Sequence, residues 1–231
     1  MNFLFDIDGT LTPSRLPIQS EFKSFFVDWI KTQRANGNRV MFVTGSDKDK
    51  TIQQIGHDLW LFADASYQNC GNVLYVEGKL VRKSDWQMSA YLRLDILELI
   101  ETSKWYGTAD KNIEERVGMV NISTIGRECS RVQRREYYNW DKRHLERRDI
   151  VQTLKLKHPD IDLSIGGEIS IDIYEKGKDK SQVVDRLSDP CIFFGDQCDN
   201  WGNDYTIAMK ADEYYHVKDY KHTWDLIKGI K

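Results

Sequence analysis

Two aspartates stand two residues apart near the start of the chain, in Phe5-Asp6-Ile7-Asp8-Gly9-Thr10, directly after the apolar run Phe3-Leu4-Phe5. Extended backbone turns side chains i and i+2 to the same side, so Asp6 and Asp8 share a direction. Paired carboxylates repel, and they persist where a divalent cation or a shared proton neutralises them. Magnesium suits an all-oxygen site completed by waters and a phosphate. Such a cation draws a phosphate dianion towards a carboxylate that would otherwise reject it. One aspartate then attacks phosphorus and forms an aspartyl phosphate. The other hands a proton to the leaving oxygen and takes one from the next attacker. Two later apolar runs end in the same manner. Residues 39–43 run into Thr44-Gly45-Ser46-Asp47, and residues 191–194 run into Gly195-Asp196, followed by Asn203 and Asp204. Thr44 or Ser46 offers a hydroxyl and Lys180 an ammonium to hold phosphate oxygens as charge builds. The spacing does not choose between the two hydroxyls, and Lys176 and Lys178 compete with Lys180. A lone pair of aspartates in a loop is usually a capped turn. Three such loops in order select a phosphate-and-magnesium site.

These loops need strands to carry them. Residues 3–5, 39–43 and 191–194 read as buried strands that stop at polar loops. Helices are expected over 18–32, ended by Asn36-Gly37-Asn38, and over 48–57. Residues 61–63 read as a third strand, and 73–76 with 79–81 as a hairpin around Glu77-Gly78. Strand and helix in alternation describe a parallel sheet covered on both faces, whose ligands bind at the carboxyl ends of the strands. The middle of the chain departs from this pattern. It has a helix over 86–102, a strand over 119–123 and a long charged helix over 132–157 that breaks near Asp141. Strands over 162–165 and 169–174 flank Gly166-Gly167. The end returns to the first pattern, with a helix over 178–187, a short helix over 203–209, and a final strand and helix. The expected fold is therefore α/β, a Rossmann-like parallel-sheet core formed by residues 1–83 and 177–231. An inserted α+β cap, with an antiparallel sheet and helices, spans 84–176.

Composition bounds the function. The 231 residues carry 33 basic and 36 acidic side chains, so the chain as a whole is not a basic nucleic-acid binder. Its four cysteines form no CxxC and no disulfide framework, and its five histidines stand in no ligand spacing. The first residues have neither a basic start nor an apolar run of signal length, and no stretch is long enough to span a bilayer. A cytoplasmic protein with no membrane partner is expected. Cys198 lies close to Asp196, but without companion ligands it reads as buried filler. The aromatic block Tyr137-Tyr138-Asn139-Trp140 reads as packing within the insert rather than as a platform for bases, because acidic residues interrupt the basic run. Residues 127–148 nevertheless hold eight basic side chains against four acidic ones. Positive charge thus gathers in the insert, while the carboxylates gather at the strand ends.

The loops DIDGT, TGSD and GD…GND, together with Lys180, resemble the haloacid dehalogenase superfamily of phosphotransferases. The segments ERVGMVNISTIGREC, RREYYNWDK and LSIGGEISIDIYEKGKDK narrow the resemblance to eukaryotic-type phosphomannomutases, over essentially the whole chain. The resemblance implies roles for particular residues. Asp6 is the nucleophile and a magnesium ligand. Asp8 is the general acid/base and lends its backbone carbonyl to the metal. Asp196 completes the ligands, with Asn203 and Asp204 in support, and Lys180 steadies the phosphoaspartate. Arg15, Arg116, Arg127 and Arg134 bind substrate phosphate, while Ser170 and Asp172 meet sugar hydroxyls. The family interconverts mannose 6-phosphate and mannose 1-phosphate through a hexose 1,6-bisphosphate, which also activates the enzyme. Glucose phosphates are further candidate substrates, and a homodimer through the cap is implied. A magnesium-dependent sugar-phosphate phosphatase of the same superfamily is the alternative. The chain departs from the family pattern at several places. It has Thr44 in GGSD, Val117 in FRNGM, Thr124 in SPIGR, Lys178 in GWDK, and Gln197, Cys198 and Trp201 in GDKT…GGND.

Overall fold

The computed structural model describes residues 1–107 and 109–230. In chain order the elements are β1 (Asn2–Phe5), α1 (Ser20–Ala35), β2 (Arg39–Val43), α2 (Lys48–Ile55), α3 (His57–Phe62), β3 (Ala65–Gln68), β4 (Val73–Val76) and β5 (Lys79–Lys83). There follow α4 (Ala90–Glu101), β6 (Ile113–Arg116), β7 (Met119–Ile122), α5 (Arg131–His144), α6 (Glu146–Lys157), β8 (Ile161–Gly166) and β9 (Ser170–Glu175). The chain closes with β10 (Cys191–Gly195), α7 (Tyr205–Lys210), β11 (Glu213–His216) and α8 (Tyr220–Lys228). Two sheets result, ordered β11-β10-β1-β2-β3-β4-β5 and β6-β7-β9-β8. The five strands from β11 to β3 are parallel, and β4 and β5 add an antiparallel hairpin. The smaller sheet is antiparallel throughout. This is the α/β core with an α+β insert expected from the sequence.

Alternation along the strands builds the core. Phe3, Phe5, Val40, Phe42 and Phe194 point to one face, where they meet Phe22, Phe26, Trp29 and Ile30 of α1. Leu4, Met41, Val43 and Phe193 point to the other, against Ile207 and Ala208 of α7 and Val183. Fully burying each such side chain contributes about 1.5–3 kcal/mol. The cap sheet is amphipathic in the same period. Val120, Ile122, Ile171 and Ile173 pack on Leu92 and Ile96 of α4 and on Ile150, Val151 and Leu154 of α6. Asn121, Ser170 and Asp172, one residue out of step, line a cleft against the core.

Several expected elements differ. Residues 61–63 form no strand, because Leu61 and Phe62 end α3 and the strand begins at Ala65. Asp64 makes the turn between them, accepting from the Val40 backbone at 2.7 Å and from Arg34 Nε at 3.1 Å. The helix expected over 86–102 begins only at Ala90, where the Ser89 hydroxyl caps Leu92 N–H at 3.1 Å. The long charged helix breaks at Leu145, whose φ of 59° is left-handed. Asp141 fixes the break, since its carbonyl receives Leu145 N–H and its carboxylate holds Arg147 at 2.7 Å. The helix expected over 178–187 is instead a run of 3₁₀ turns over Lys180–Arg186. Three-residue turns put i and i+3 on one face, so Lys180 and Val183 both point inward. β6 (Ile113–Arg116) has no counterpart in the sequence reading, because its residues Ile-Glu-Glu-Arg lack an apolar alternation.

Candidate active site

The carboxyl end of the parallel sheet carries the acidic groups. Asp6 follows β1 and Asp196 follows β10, which are hydrogen-bonded neighbours. With Asp204 they form a cluster in which one carboxylate oxygen from each lies within 4.8 Å of the others. Lys180 is 1% exposed and lies beneath them, donating to Asp6 Oδ1 at 2.7 Å and to Asp204 Oδ1 at 2.6 Å. Burial opposes its charge, but Asp204 and Asp6 outweigh burial and hold its pKa well above the ordinary lysine value. Burial raises Asp6 to about 7, which Lys180 counters and Asp204 reinforces. Burial, then Asp204 and Asp6, push Asp196 well above the carboxylate range. Three crowded carboxylates with one ammonium leave excess negative charge in an all-oxygen pocket, which is the donor chemistry a magnesium ion fits. Gly9 allows the approach. At its φ of 93°, a Cβ would lie 2.6 Å from Asp196 Oδ2.

Asp8 does not join that cluster. Its Oδ1 accepts from the Arg15 backbone at 2.5 Å and from Gln54 Nε2 at 3.0 Å, and Lys50 Nζ lies 4.0 Å from Oδ2. Lys50 and Gln54 are one helical turn apart on α2 and so share a face. The loop after β2 lies alongside. Thr44 and Ser46 both line the cleft, and Thr44 Oγ1 also accepts from Ser46 N–H at 3.1 Å.

Arginines occupy the cap side of the cleft, whose volume is about 230 Å³. Arg116 donates to the Gly45 carbonyl at 2.9 Å and pairs with Glu114 at 2.9 Å. Arg127 donates to Asn121 Oδ1 at 2.8 Å and to Ser170 Oγ at 2.7 Å. Arg134 is buried and its Nη2 finds no hydrogen-bond partner among the described residues. Burial and then neighbouring arginines lower the pKa of Arg127 and Arg134, the first through Arg116 and the second through Arg15. A buried guanidinium nitrogen without an acceptor marks a place prepared for an anion. Asp172 accepts from Asn121 Nδ2 at 2.6 Å and from Asn203 Nδ2 at 3.4 Å. Asn203 therefore reaches the cap strand rather than the acidic cluster.

The family model described as eukaryotic phosphomannomutase matches residues 27–228. The chain belongs to the eukaryotic phosphomannomutase family. The phosphomannomutase of Saccharomyces cerevisiae is 35% identical over 223 residues, covering 89% of this chain and 84% of the relative. That of Dendrobium officinale is 38% identical over 217 residues, covering 88% and 83%. Among solved structures, a subclass IIB sugar phosphatase of the haloacid dehalogenase superfamily overlays with a TM-score of 0.59 at 13% identity. It covers 98% of this chain and 97% of its own, a likeness of fold.

Of the residues that the phosphomannomutase resemblance singles out, Asp6, Asp8, Arg15, Arg116, Arg127, Arg134, Ser170, Asp172, Asp196 and Asn203 line the cleft, as do Thr44 and Ser46, the two hydroxyls that the strand-end loop offered. Lys180 and Asp204 lie beneath its floor. Sequence reading passed over Lys50, Asn121 and Arg135, which also line it, as do Tyr138, read there as packing, and Gln197, read there only as a departure from the family pattern. Asn121 is the one with a visible signal, a polar residue between Val120 and Ile122 in a strand. Cys198 is buried filler, donating to the Gly195 carbonyl at 3.4 Å, and burial pushes its thiol far up. Within the aromatic block, Tyr137 and Trp140 pack with Trp105, whereas Tyr138 faces the cleft.

The raised Asp6 sets a pH dependence. An acid whose folded pKa lies above its ordinary 3.8 binds its proton more tightly when folded. Its contribution to stability is complete below that value and is lost as pH rises through about 7. Thermal melts in chelator should therefore give a Tm that falls as pH rises from the ordinary 3.8 to about 7 and levels off above it. Excess magnesium should flatten the slope. A Tm that climbs with pH in chelator contradicts this picture.

Proposed function

We propose that the chain interconverts mannose 6-phosphate and mannose 1-phosphate through an aspartyl phosphate and a hexose 1,6-bisphosphate. One observation carries the reading. A single cleft has Asp6 and Asp196 of the carboxylate cluster in its core wall and, in its cap wall, Arg134, whose Nη2 finds no acceptor among the described residues. A mutase needs a place for the reacting phosphate and another for the distal one, because the sugar must be accepted in both orientations.

The chemistry follows from the residues. In the phosphorylated enzyme, the free hydroxyl of the sugar monophosphate attacks the phosphorus carried by Asp6, and Asp8 takes its proton. The Asp6 oxygen–phosphorus bond breaks and the bisphosphate forms. After the bisphosphate turns end for end, Asp6 attacks the other phosphorus, and Asp8 returns the proton to the departing oxygen. Lys180 holds the Asp6 carboxylate in place and offsets Asp204. Thr44 and Ser46, which line the cleft, are the candidate hydroxyl donors to the transferring phosphate. Arg116, Arg127 and Arg134 hold the distal phosphate by charge-assisted hydrogen bonds. Ser170 and Asp172 face sugar hydroxyls. Asp6 and Asp196, with the Asp8 carbonyl, would hold magnesium, and Asp204 supports them. When bound, that ion supplies the positive charge that lets a phosphate dianion approach Asp6. A hexose 1,6-bisphosphate primes the enzyme by phosphorylating Asp6.

The test uses magnesium, mannose 1-phosphate and a trace of glucose 1,6-bisphosphate, with 6-phosphate and inorganic phosphate followed together. Formation of the 6-phosphate is expected. Phosphate release without isomer would establish the phosphatase alternative. Glucose 1-phosphate in parallel measures sugar preference. Arg134→Ala should raise KM for the monophosphate by about 10–100-fold, the value of a charge-assisted contact, while kcat falls less. A KM within twofold of wild type, as an order-of-magnitude bound, contradicts the distal-phosphate role.

In this reading the chain acts in the cytoplasm as a homodimer joined through the cap. Its four cysteines are free, which suits a reducing compartment. Among the described residues no helix is long and apolar enough to cross a membrane. Tyr91, Leu94 and Leu97 on α4 are 80%, 64% and 39% exposed. That apolar face suits a partner subunit. Sedimentation should find a dimer, and Leu94→Glu a monomer. A wild-type monomer at micromolar concentration counts against the interface.

A further inference from the structure

The loop joining Asp196 to Asp204 belongs to the core, yet its tip is seated in the cap. The Trp201 carbonyl accepts from Ile165 N–H of β8 at 2.7 Å, and Gly202 forms a parallel bridge with Ile165. The Trp201 ring packs against the apolar cluster under α4 and α6. Two cations of α6 stand over it, Arg148 at 5.9 Å and Lys155 at 6.0 Å from the ring centre. The residue adopts a φ of 83°, a conformation that side chains other than glycine rarely take. It is held there because its carbonyl and its ring are both engaged by the cap. Next along the loop, Asn203 reaches Asp172 of β9. On the other side of the cleft the cap touches the core through polar contacts, Arg116 on the Gly45 carbonyl and Asn69 on the Val117 carbonyl, and through the small apolar cluster of Cys70, Met119 and Tyr174. Trp201 therefore gives this side an apolar anchor, set between two members of the carboxylate cluster.

We propose that Trp201 is a positioning residue that latches the cap to the carboxylate loop and thereby decides whether a sugar hydroxyl or water receives the phosphoryl group. The inference rests on the mutase reading. Both outcomes break the same Asp6 oxygen–phosphorus bond. With the sugar, its hydroxyl oxygen bonds to phosphorus, its proton passes to Asp8, and a bisphosphate forms. With water, the water oxygen bonds to phosphorus, its proton passes to Asp8, and inorganic phosphate leaves. A cap held shut admits the bound sugar and excludes water. Loosening the latch admits water without removing any group that does the chemistry.

The experiment compares wild type, Trp201→Gly and Trp201→Phe under the magnesium and bisphosphate conditions above. It reads the ratio of inorganic phosphate released to 6-phosphate formed. That ratio does not change if a variant merely lowers the fraction of active enzyme. Glycine takes the same φ without strain but has no ring. Trp201→Gly should raise the ratio about fivefold or more, whereas Trp201→Phe, which keeps an aromatic ring, should stay near wild type. An unchanged ratio in Trp201→Gly overturns the latch, as does an equal rise in both variants. Absence of isomerisation in the wild type defeats the mutase reading instead. Hydrogen exchange over residues 161–166 then decides the latch alone. Faster exchange in Trp201→Gly supports it, and unchanged exchange overturns it.

Discussion

Asp6→Asn abolishes isomerisation and phosphate release together. The asparagine keeps the shape of the side chain and can still sit beside Lys180, so the fold survives. It offers no anionic oxygen to phosphorus, so no phosphoenzyme forms by either route. A loss of at least about a thousandfold in kcat is expected for removal of a covalent nucleophile. Circular dichroism should match the wild type. The variant should also lose much of the pH slope in chelator, because that slope depends on a carboxylate raised to about 7. Stopped assays for both products, on protein freed of bisphosphate, measure the effect. Turnover within tenfold of wild type, taken as an order-of-magnitude bound, removes Asp6 from the mechanism.

Lys180→Met is expected to cost more stability than any surface change. The ammonium bridges two buried carboxylates, at 2.7 Å from Asp6 and 2.6 Å from Asp204. Its own burial disfavours the charge, so the group stays charged only because both anions surround it. Methionine fills the space but leaves those anions facing each other. Breaking such a buried arrangement costs about 3–5 kcal/mol. For a chain of this size that lowers Tm by roughly 6–20 °C. Magnesium should restore part of the loss, since a cation beside Asp6 replaces some of the missing charge. Phosphoryl transfer should fall with it, because Asp6 is no longer held in register. Denaturant melts with and without magnesium test this. A loss below about 1 kcal/mol would mean that the two carboxylates share a proton instead.

The strand-end loops were legible because three apolar runs in order each stop at a polar, aspartate-bearing loop, where an α/β sheet binds its ligands. Asp6 and Asp196 follow from that pattern alone, whereas the pattern leaves Thr44 and Ser46 as equal candidates for the hydroxyl. The cap arginines needed the resemblance, since Arg116, Arg127 and Arg134 sit among other charges that resemble a solvated surface. Lys50 and Gln54 were missed for a related reason. Two polar residues at i and i+4 on a helix normally face water, and here α2 turns them towards Asp8. β6 was missed because its alternation is between charges, with Glu114 and Arg116 paired along one strand face. Residues 61–63 misled because a helix end and a strand start are equally apolar there, and only the contacts of Asp64 separate them.

The position of β1 has a consequence for synthesis. The strand that presents Asp6 lies between β2 and β10, and Asn2 pairs with both Arg39 and Cys191. One of its edges therefore stays unpaired until β10 has been translated. At roughly 5–20 residues per second, that is on the order of ten to forty seconds. Asp6 and Lys180, 174 residues apart, meet only at that late stage. Through most of its manufacture, the nascent chain therefore carries an open strand edge, a surface that invites pairing with other chains. Chains that stall before β10 have no phosphate chemistry with which to consume the cell's sugar phosphates. Assembly of the site thus waits on β10.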